Sequence, residues 1–296
     1  MCTLALAWKV FEDAPVVVGA NRDEALDRPS HPPAVSRGEP TVIAPRDREA
    51  GGTWIGFNDR GLFAGITNRW TDAELAGERS RGLLVDDVLA RESAREAAAL
   101  AERSVGEVEY AGFNLLVADA TDAVWLAWDG SLDRLALDPG VHVAVNVGLA
   151  GEPSIPASRG ALGREQAENA RAVERALETD DDRTRALETD HDPTGALETD
   201  HDPTGALETD HDPTGALEAE DDPTGALEAD DRTAADWLDR AGAVLGDHEY
   251  GVCLHRDGFG TRSSSLLATG RSPRYAFADG PPCRSRYRPV DLEGQF

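Results

Sequence analysis

Between residues 176 and 232 a ten-residue unit close to ALETDHDPTG recurs, with Ala-Leu-Glu starting at 176, 186, 196, 206, 216 and 226. Pro193, Pro203, Pro213 and Pro223 interrupt any continuous helix, and Gly195, Gly205, Gly215 and Gly225 add backbone freedom. One leucine per unit supplies too little apolar surface to offset the entropy of ordering the chain. The tract is therefore expected to be a disordered spacer, with at most one helical turn per unit. Whatever folds must come from residues 1–175 and 233–296, roughly 240 residues, which is enough for one large domain with a substantial core. The His-Asp pairs at His191, His201 and His211 and the acidic unit offer weak cation or calcium ligands, but they match no known loop geometry.

Charge narrows the partners. Of the formal net charge of −27, the tract carries −17, and the rest of the chain remains acidic at about −10. Lys9 is the only lysine, the other 28 basic residues being arginine. An acidic surface nearly free of lysine stays hydrated where salt screens its self-repulsion, a composition suited to high salt. No basic stripe is present to release phosphate counterions, which argues against nucleic-acid binding. The three cysteines, Cys2, Cys253 and Cys283, form neither a disulfide framework nor a CxxC pair, as in a reducing cytosol. The apolar run Leu4–Trp8 stops at Lys9, too short for a signal-peptide core, and no stretch approaches the ~20 apolar residues of a membrane span. A cytoplasmic, soluble protein is expected.

Along the chain, residues 3–10 and 15–21 are β-rich runs around Glu12-Asp13-Ala14-Pro15 and predict a hairpin. Short strands are expected at 41–45, 53–57 and 61–67. A single helix is expected from Arg81 to about Arg103, where Leu83, Leu84, Val88, Leu89, Ala97 and Leu100 recur at helical spacing. Strands return at 112–118, 122–128 and 141–147. Helices follow from Arg159 to Leu177 and from Ala234 to Leu245, then strands at 250–255, 261–268 and 273–277. Strand blocks alternating with helix blocks suit an α+β sandwich of two antiparallel sheets packed face to face, with helices outside.

Cys2 is the first candidate for chemistry. Aminopeptidase removal of Met1 would leave a residue carrying both a thiol and, in its α-amine of pKa about 7.7–8.0, its own base. The expected hairpin brings Asn21-Arg22-Asp23-Glu24 back to the chain start, where Arg22 would lower the thiol pKa and Asp23 or Glu24 would hold the amine. Read blandly, the tetrapeptide is a solvated strand end with an Arg–carboxylate pair worth little to stability.

Met1-Cys2, Ala20-Asn21-Arg22-Asp23-Glu24 and Arg28-Pro29-Ser30 resemble the opening of the NRDE-motif family, that of transport and Golgi organisation 2. Gly51-Gly52-Thr53-Trp54-Ile55-Gly56, Thr67-Asn68, Ser80-Arg81-Gly82, Gly112-Phe113-Asn114-Leu115, Val145-Asn146 and Gly260-Thr261-Arg262-Ser263-Ser264 follow in order. The resemblance spans residues 1 to about 268, the repeat excepted. It implies a four-layer αββα fold like that of N-terminal-nucleophile hydrolases, similar in plan to the penicillin V acylase and bile-salt hydrolase group. On that plan Cys2 is the nucleophile, Arg22 its electrostatic activator and Asp23 the partner of the α-amine. Asn146 or Asn68 donates to a developing oxyanion, Asn21 and Glu24 help bind substrate, and Arg262 orients substrate or a carboxylate. The pattern departs at one point. In the acylase group the arginine and aspartate stand three residues apart, whereas Arg22 and Asp23 are adjacent and strand neighbours point to opposite faces. Both reach Cys2 only if the strand bulges or ends; otherwise Arg22 pairs with Glu24 on one face, or Asn21 with Asp23 on the other.

Other features are weaker. Gly51-Gly52-Thr53 reads as a tight turn into a strand, or a loop lining a pocket. Cys253 lies in an apolar run and reads as an inert core residue, Cys283 as a surface residue and His255 as a strand end. The histidines show no spacing for a metal site, and there is no serine elbow, phosphate loop or CxxCH haem motif, so no cofactor is expected. Two functions remain open. One is a cysteine hydrolase or acyltransferase acting on a small amide or thioester. The other, from what the resemblance implies about haem and lipid handling, is a non-catalytic carrier of haem, acyl-CoA or another hydrophobic ligand. A scaffold built on the acidic repeat is a third, resting on the tract alone.

Overall fold

The computed structural model describes residues 2–36, 38–179 and 233–292. Residues 180–232, and with them the cation-binding expectation for His191, His201 and His211, lie outside the described residues. The described chain forms two antiparallel sheets. The first contains β1 (Thr3–Trp8), β2 (Val16–Ala25), β10 (Gly140–Val145), β11 (Gly148–Leu149), β13 (Phe259–Ala268), β14 (Arg274–Ala278) and β15 (Arg288–Pro289), in the order β11-β10-β1-β2-β13-β14-β15, with β12 (His255–Arg256) on β13. The second runs in sequence order through β3 (Ser30–Ser36), β4 (Val42–Asp47), β5 (Ile55–Asn58), β6 (Phe63–Asn68), β7 (Phe113–Ala118), β8 (Ala123–Trp128) and β9 (Leu132–Ala136).

Three hydrophobic layers hold four layers of structure together. β1 is buried on both faces, and the strand period of two sorts its side chains. Leu4, Leu6 and Trp8 enter the core between the sheets with Val16, Val18 and Phe57. Ala5, Ala7 and Val17 instead meet α3 (Gly160–Leu177) and α4 (Ala234–Gly246) through Val173, Trp237 and Leu245. On the far side α1 (Arg81–Leu89) and α2 (Ala94–Glu107) cover the second sheet through Leu84, Val88, Ala97 and Ala101. The result is the αββα sandwich expected from the element order. No helix among the described residues is long and apolar enough to cross a membrane.

Four expectations change. The tetrapeptide 21–24 lies within β2, not at its end, because β13 pairs with it as far as Ala25. The helix expected over 81–103 is two helices: Ser93 caps the second by accepting from Glu96 N–H, Asp119 Oδ2 accepts from Ala94 N–H, and Asn58 donates to the carbonyls of Leu89 and Arg91. Residues 250–255 are largely irregular, with Gly251 left-handed at φ 64°. Four strands went unforeseen: the two-residue β11 and β15, the longer β9, and β3, which tolerates Pro32 and Pro33 because it is an edge strand with a register shift between His31 and Ala34.

Candidate active site

Register places the chain start. Thr3 pairs with Asn21 and Leu4 with Ala20, so one step further puts Cys2 opposite Arg22, on the face that carries Leu4 and Leu6. The Cys2 backbone N–H donates to Asn146 Oδ1 at 3.2 Å, and its Sγ lies 3.8 Å from the Asp23 carbonyl oxygen. Cys2 borders a small cleft of about 110 Å³, walled further by Arg22, Trp54, Asn68 and Arg81.

Arg22 is held from three sides. Its guanidinium stacks on Trp54, 4.2 Å from the ring centroid, donates to Asp47 Oδ2 at 3.0 Å, and lies 3.7 Å from Glu24. Asp47 is buried, which pushes its carboxyl up. Hydrogen bonds from Arg28 at 2.7 Å and from the N–H groups of Ala50 and Glu49 outweigh this and hold it below the usual carboxylate range. Arg22 and Glu24 thus share the inter-sheet face, as strand alternation requires, and Glu24 also accepts from Ala25 N–H.

Asp23 points the other way, yet it is among the residues bordering the cleft; opposite Asp23 and Arg22, β13 carries a register shift between Thr261 and Ser263. Burial pushes its carboxyl up to about 6, although Thr261 Oγ1 donates to it at 2.6 Å. Burial likewise raises the Cys2 thiol above its ordinary value, and the Asp23 charge adds to this; Arg22 pulls downward but is outweighed. The expectation that Arg22 lowers the thiol pKa holds in direction and fails in net effect.

Asn146, at the end of β10, accepts from Cys2 N–H and from Gln166 Nε2 at 3.0 Å, while its own Nδ2 donates to the Asn68 carbonyl. Its geometry is that of a clamp on the nitrogen of Cys2. The Asn68 side chain stands exposed on the cleft with no hydrogen-bond partner among the described residues. Behind it Asn114 Nδ2 donates to Thr67 Oγ1 and to the Val145 carbonyl, tying the two sheets together beneath the cleft.

Three expected residues do not line this cleft, Asn146 reaching it only through its contact with the Cys2 nitrogen. Asn21 faces the helices, its amide donating to the carbonyls of Leu245 and Val252, both at 2.9 Å. Arg262 reaches exposed Asp279 at 3.4 Å and does not line the cleft. Its neighbour Thr261 is the residue of that segment that touches the site. Sequence reasoning also passed over Arg81, whose Nη1 donates to the Gly112 carbonyl at 2.7 Å and whose guanidinium senses the Cys2 charge. Its signal was present in Ser80-Arg81-Gly82. Asp47 and Gln166 carried no signal, being ordinary polar residues of a strand end and a helix.

The motif segments meet in space. A side chain at Gly52, where φ is +71°, would lie 2.2 Å from the Gly82 carbonyl carbon, and Thr53 N–H donates to that carbonyl at 3.0 Å. Gly51 and Gly52 form the turn, and Gly51 and Gly82 belong to the cleft wall.

The transport and Golgi organisation 2 homologue of Mus musculus is 29% identical over 135 residues, covering 43% of this chain and 49% of the relative. The Homo sapiens homologue is 31% identical over 136 residues, with the same coverage. The chain thus spans about half the length of the curated relatives it matches. Among solved structures, penicillin V acylase of Agrobacterium tumefaciens aligns at a TM-score of 0.48 and 13% identity, covering 99% of this chain and 87% of the other. The C2A mutant of the conjugated bile acid hydrolase of Clostridium perfringens aligns at 0.43 and 13%, covering 99% and 92%. The family model for transport and Golgi organisation 2 matches residues 1–279, a span containing each motif segment that meets around the cleft, and the chain belongs to that family.

Proposed function

We propose that the chain is a cysteine amidohydrolase or acyltransferase that acts through an N-terminal Cys2. With Met1 removed, the nitrogen clamped by Asn146 becomes an α-amine that takes the thiol proton as Sγ attacks an amide or thioester carbonyl. Asn68 donates to the oxyanion, with the positive charge of Arg81 close by. The leaving amine or thiol departs with the proton, and water or a second nucleophile then releases the acyl group from Cys2. The observation that supports this reading is the meeting of the Cys2 thiol, its clamped nitrogen and Asp23, whose carboxyl is pushed up to about 6, at one small cleft. Intact-mass spectrometry before and after a thiol-reactive acylating probe tests it. Loss of Met1 with a single adduct on Cys2, abolished by Cys2→Ser, is the expected result. Retained Met1, or label only on Cys283, would sink the reading.

One observation favours the rival, a carrier of haem, acyl-CoA or another hydrophobic ligand. A second cleft of about 1190 Å³ lies between α4 and the β14–β15 edge, walled by Leu238, Leu266, Tyr275, Tyr287 and Leu292. A Soret band on haem titration that persists in Cys2→Ala would support the carrier. If neither haem nor acyl-CoA shifts the melting temperature, that reading falls.

A further inference from the structure

We propose that His248, Cys253, His255 and Cys283 form a zinc-binding site distinct from the Cys2 cleft. Their ligand atoms all lie within 4.8 Å of one another. The four come from three separate pieces of backbone: the turn after α4 (His248–Tyr250), the segment entering β12, and the turn Pro281–Ser285, which is closed by N–H groups of Arg284 and Ser285 donating to the Pro281 carbonyl. Nε2 of His255 stands 3.8 Å from Cys253 Sγ and 3.1 Å from Cys283 Sγ. The His248 and His255 rings meet edge to face with centroids 5.2 Å apart.

The donor set decides the ion. Two thiolates with two imidazoles suit a borderline-soft cation with tetrahedral preference, which is zinc, rather than the oxygen-seeking calcium or magnesium. Zinc bonds of about 2.3 Å to sulfur and about 2.0 Å to nitrogen set neighbouring donors about 3.5 Å apart, and the two measured sulfur–nitrogen separations fall on either side of that value. The bland reading is a chance surface meeting, since three of the four are exposed. Against it, the side-chain hydrogen-bond contacts of Cys253, His255 and Cys283 are with one another and with no other described residue. Four protein ligands leave no open position, so the ion is structural.

What it braces is the neighbouring site. Leu254, between the two ligands of its segment, donates its N–H to Thr261 Oγ1 at 2.8 Å and accepts from Thr261 N–H at 2.9 Å; Thr261 in turn donates to Asp23. A metal fixing Cys253 and His255 fixes this relay. The sequence hid the set because only Cys253 and His255 are close together, with His248 before them and Cys283 in a distant turn.

The test uses the full chain, stripped with chelator and titrated with zinc sulfate against a chromophoric competitor, and separately with cobalt chloride. One equivalent of zinc should bind and raise the melting temperature, and cobalt should give tetrahedral d–d bands with thiolate-to-cobalt charge transfer. Loss of a supporting partner commonly weakens metal binding 10–100-fold, so replacing a direct ligand in Cys283→Ser should weaken zinc by about 100-fold or more and diminish the charge-transfer band. Cys283 is exposed, and circular dichroism will show that the variant folds. Cys2→Ser should leave zinc affinity and both cobalt bands unchanged, whatever becomes of the activity proposed for Cys2. Unchanged zinc affinity in Cys283→Ser would overturn the proposal. So would cobalt bound without thiolate bands, which would point to the acidic repeat, or a Cys253–Cys283 disulfide persisting after reduction and zinc addition.

Discussion

A carboxyl that ionises near pH 6 in the folded chain, against 3.8 ordinarily, binds more protons folded than unfolded across that interval. Folding is therefore favoured by this group below about pH 4, and the contribution is lost as pH rises through 6. The difference between the two values corresponds to up to about 3 kcal/mol. Asp23→Asn should be insensitive to this interval, so in urea unfolding at successive pH values its stability should gain on the parent chain between pH 4 and 7. A constant difference would mean that Asp23 is not a buried ionising group. If Asp23 must be charged to hold the amine of Cys2, turnover by the parent should climb with the same midpoint near 6. Strand alternation offered Arg22 with Glu24 on one face or Asn21 with Asp23 on the other. It could not say what lies over each face, and the helix whose Leu245 carbonyl engages Asn21 follows 224 residues later. The same long separation made Arg262, a charged residue in a motif, look a better site residue than Thr261.

At the scale of elements, the turn at Gly51-Gly52 and the start of α1 are locked by contact of backbone on backbone. Gly52→Ala adds a methyl 2.2 Å from the Gly82 carbonyl carbon at a left-handed φ, and should destabilise by about 2–3 kcal/mol in denaturant unfolding. Gly61→Ala, also at positive φ but with open space around its position, should cost less, since only the backbone conformation is strained. Periodicity read the long elements well: the β1–β2 hairpin, β7, β8, α3 and α4 all stand within a few residues of their expected spans. It failed where a local capping signal competed with the apolar pattern. Ser93-x-x-Glu96 opens α2 and was overlooked because Leu89, Ala97 and Leu100 continue the helical spacing across the break. It failed again at 250–255, where an apolar composition suggests a strand but Asn21 and Thr261 take the backbone hydrogen bonds.

For the molecule as a whole, α3 and α4 come together where the chain leaves and re-enters the described structure. Trp237 Nε1 donates to the Leu177 carbonyl at 2.9 Å, and Arg240 reaches the carbonyls of Leu177 and Glu178. Replacing residues 180–232 with a short glycine-serine link should therefore leave the melting temperature and Cys2 labelling close to those of the parent; loss of folding would show the tract to be part of the domain. With a net charge of −27, raising potassium chloride from about 0.1 to 2 M should raise the melting temperature of the parent, and by less in the shortened chain, because screening relieves less repulsion there. The central place of β2 in its sheet has a consequence for how the chain is made. Its neighbour on one side, β1, leaves the ribosome with it, but its other neighbour, β13, and its covering helix α4 come only after the repeat. At about 5–20 residues per second, synthesis keeps the edge of β2 waiting for on the order of ten to fifty seconds. During that time the nascent chain presents an unpaired, apolar strand, and for most of it the ribosome is translating segments that do not pair with that edge. A chaperone that shields exposed strand edges is thus most useful to this protein before residues 234–268 exist.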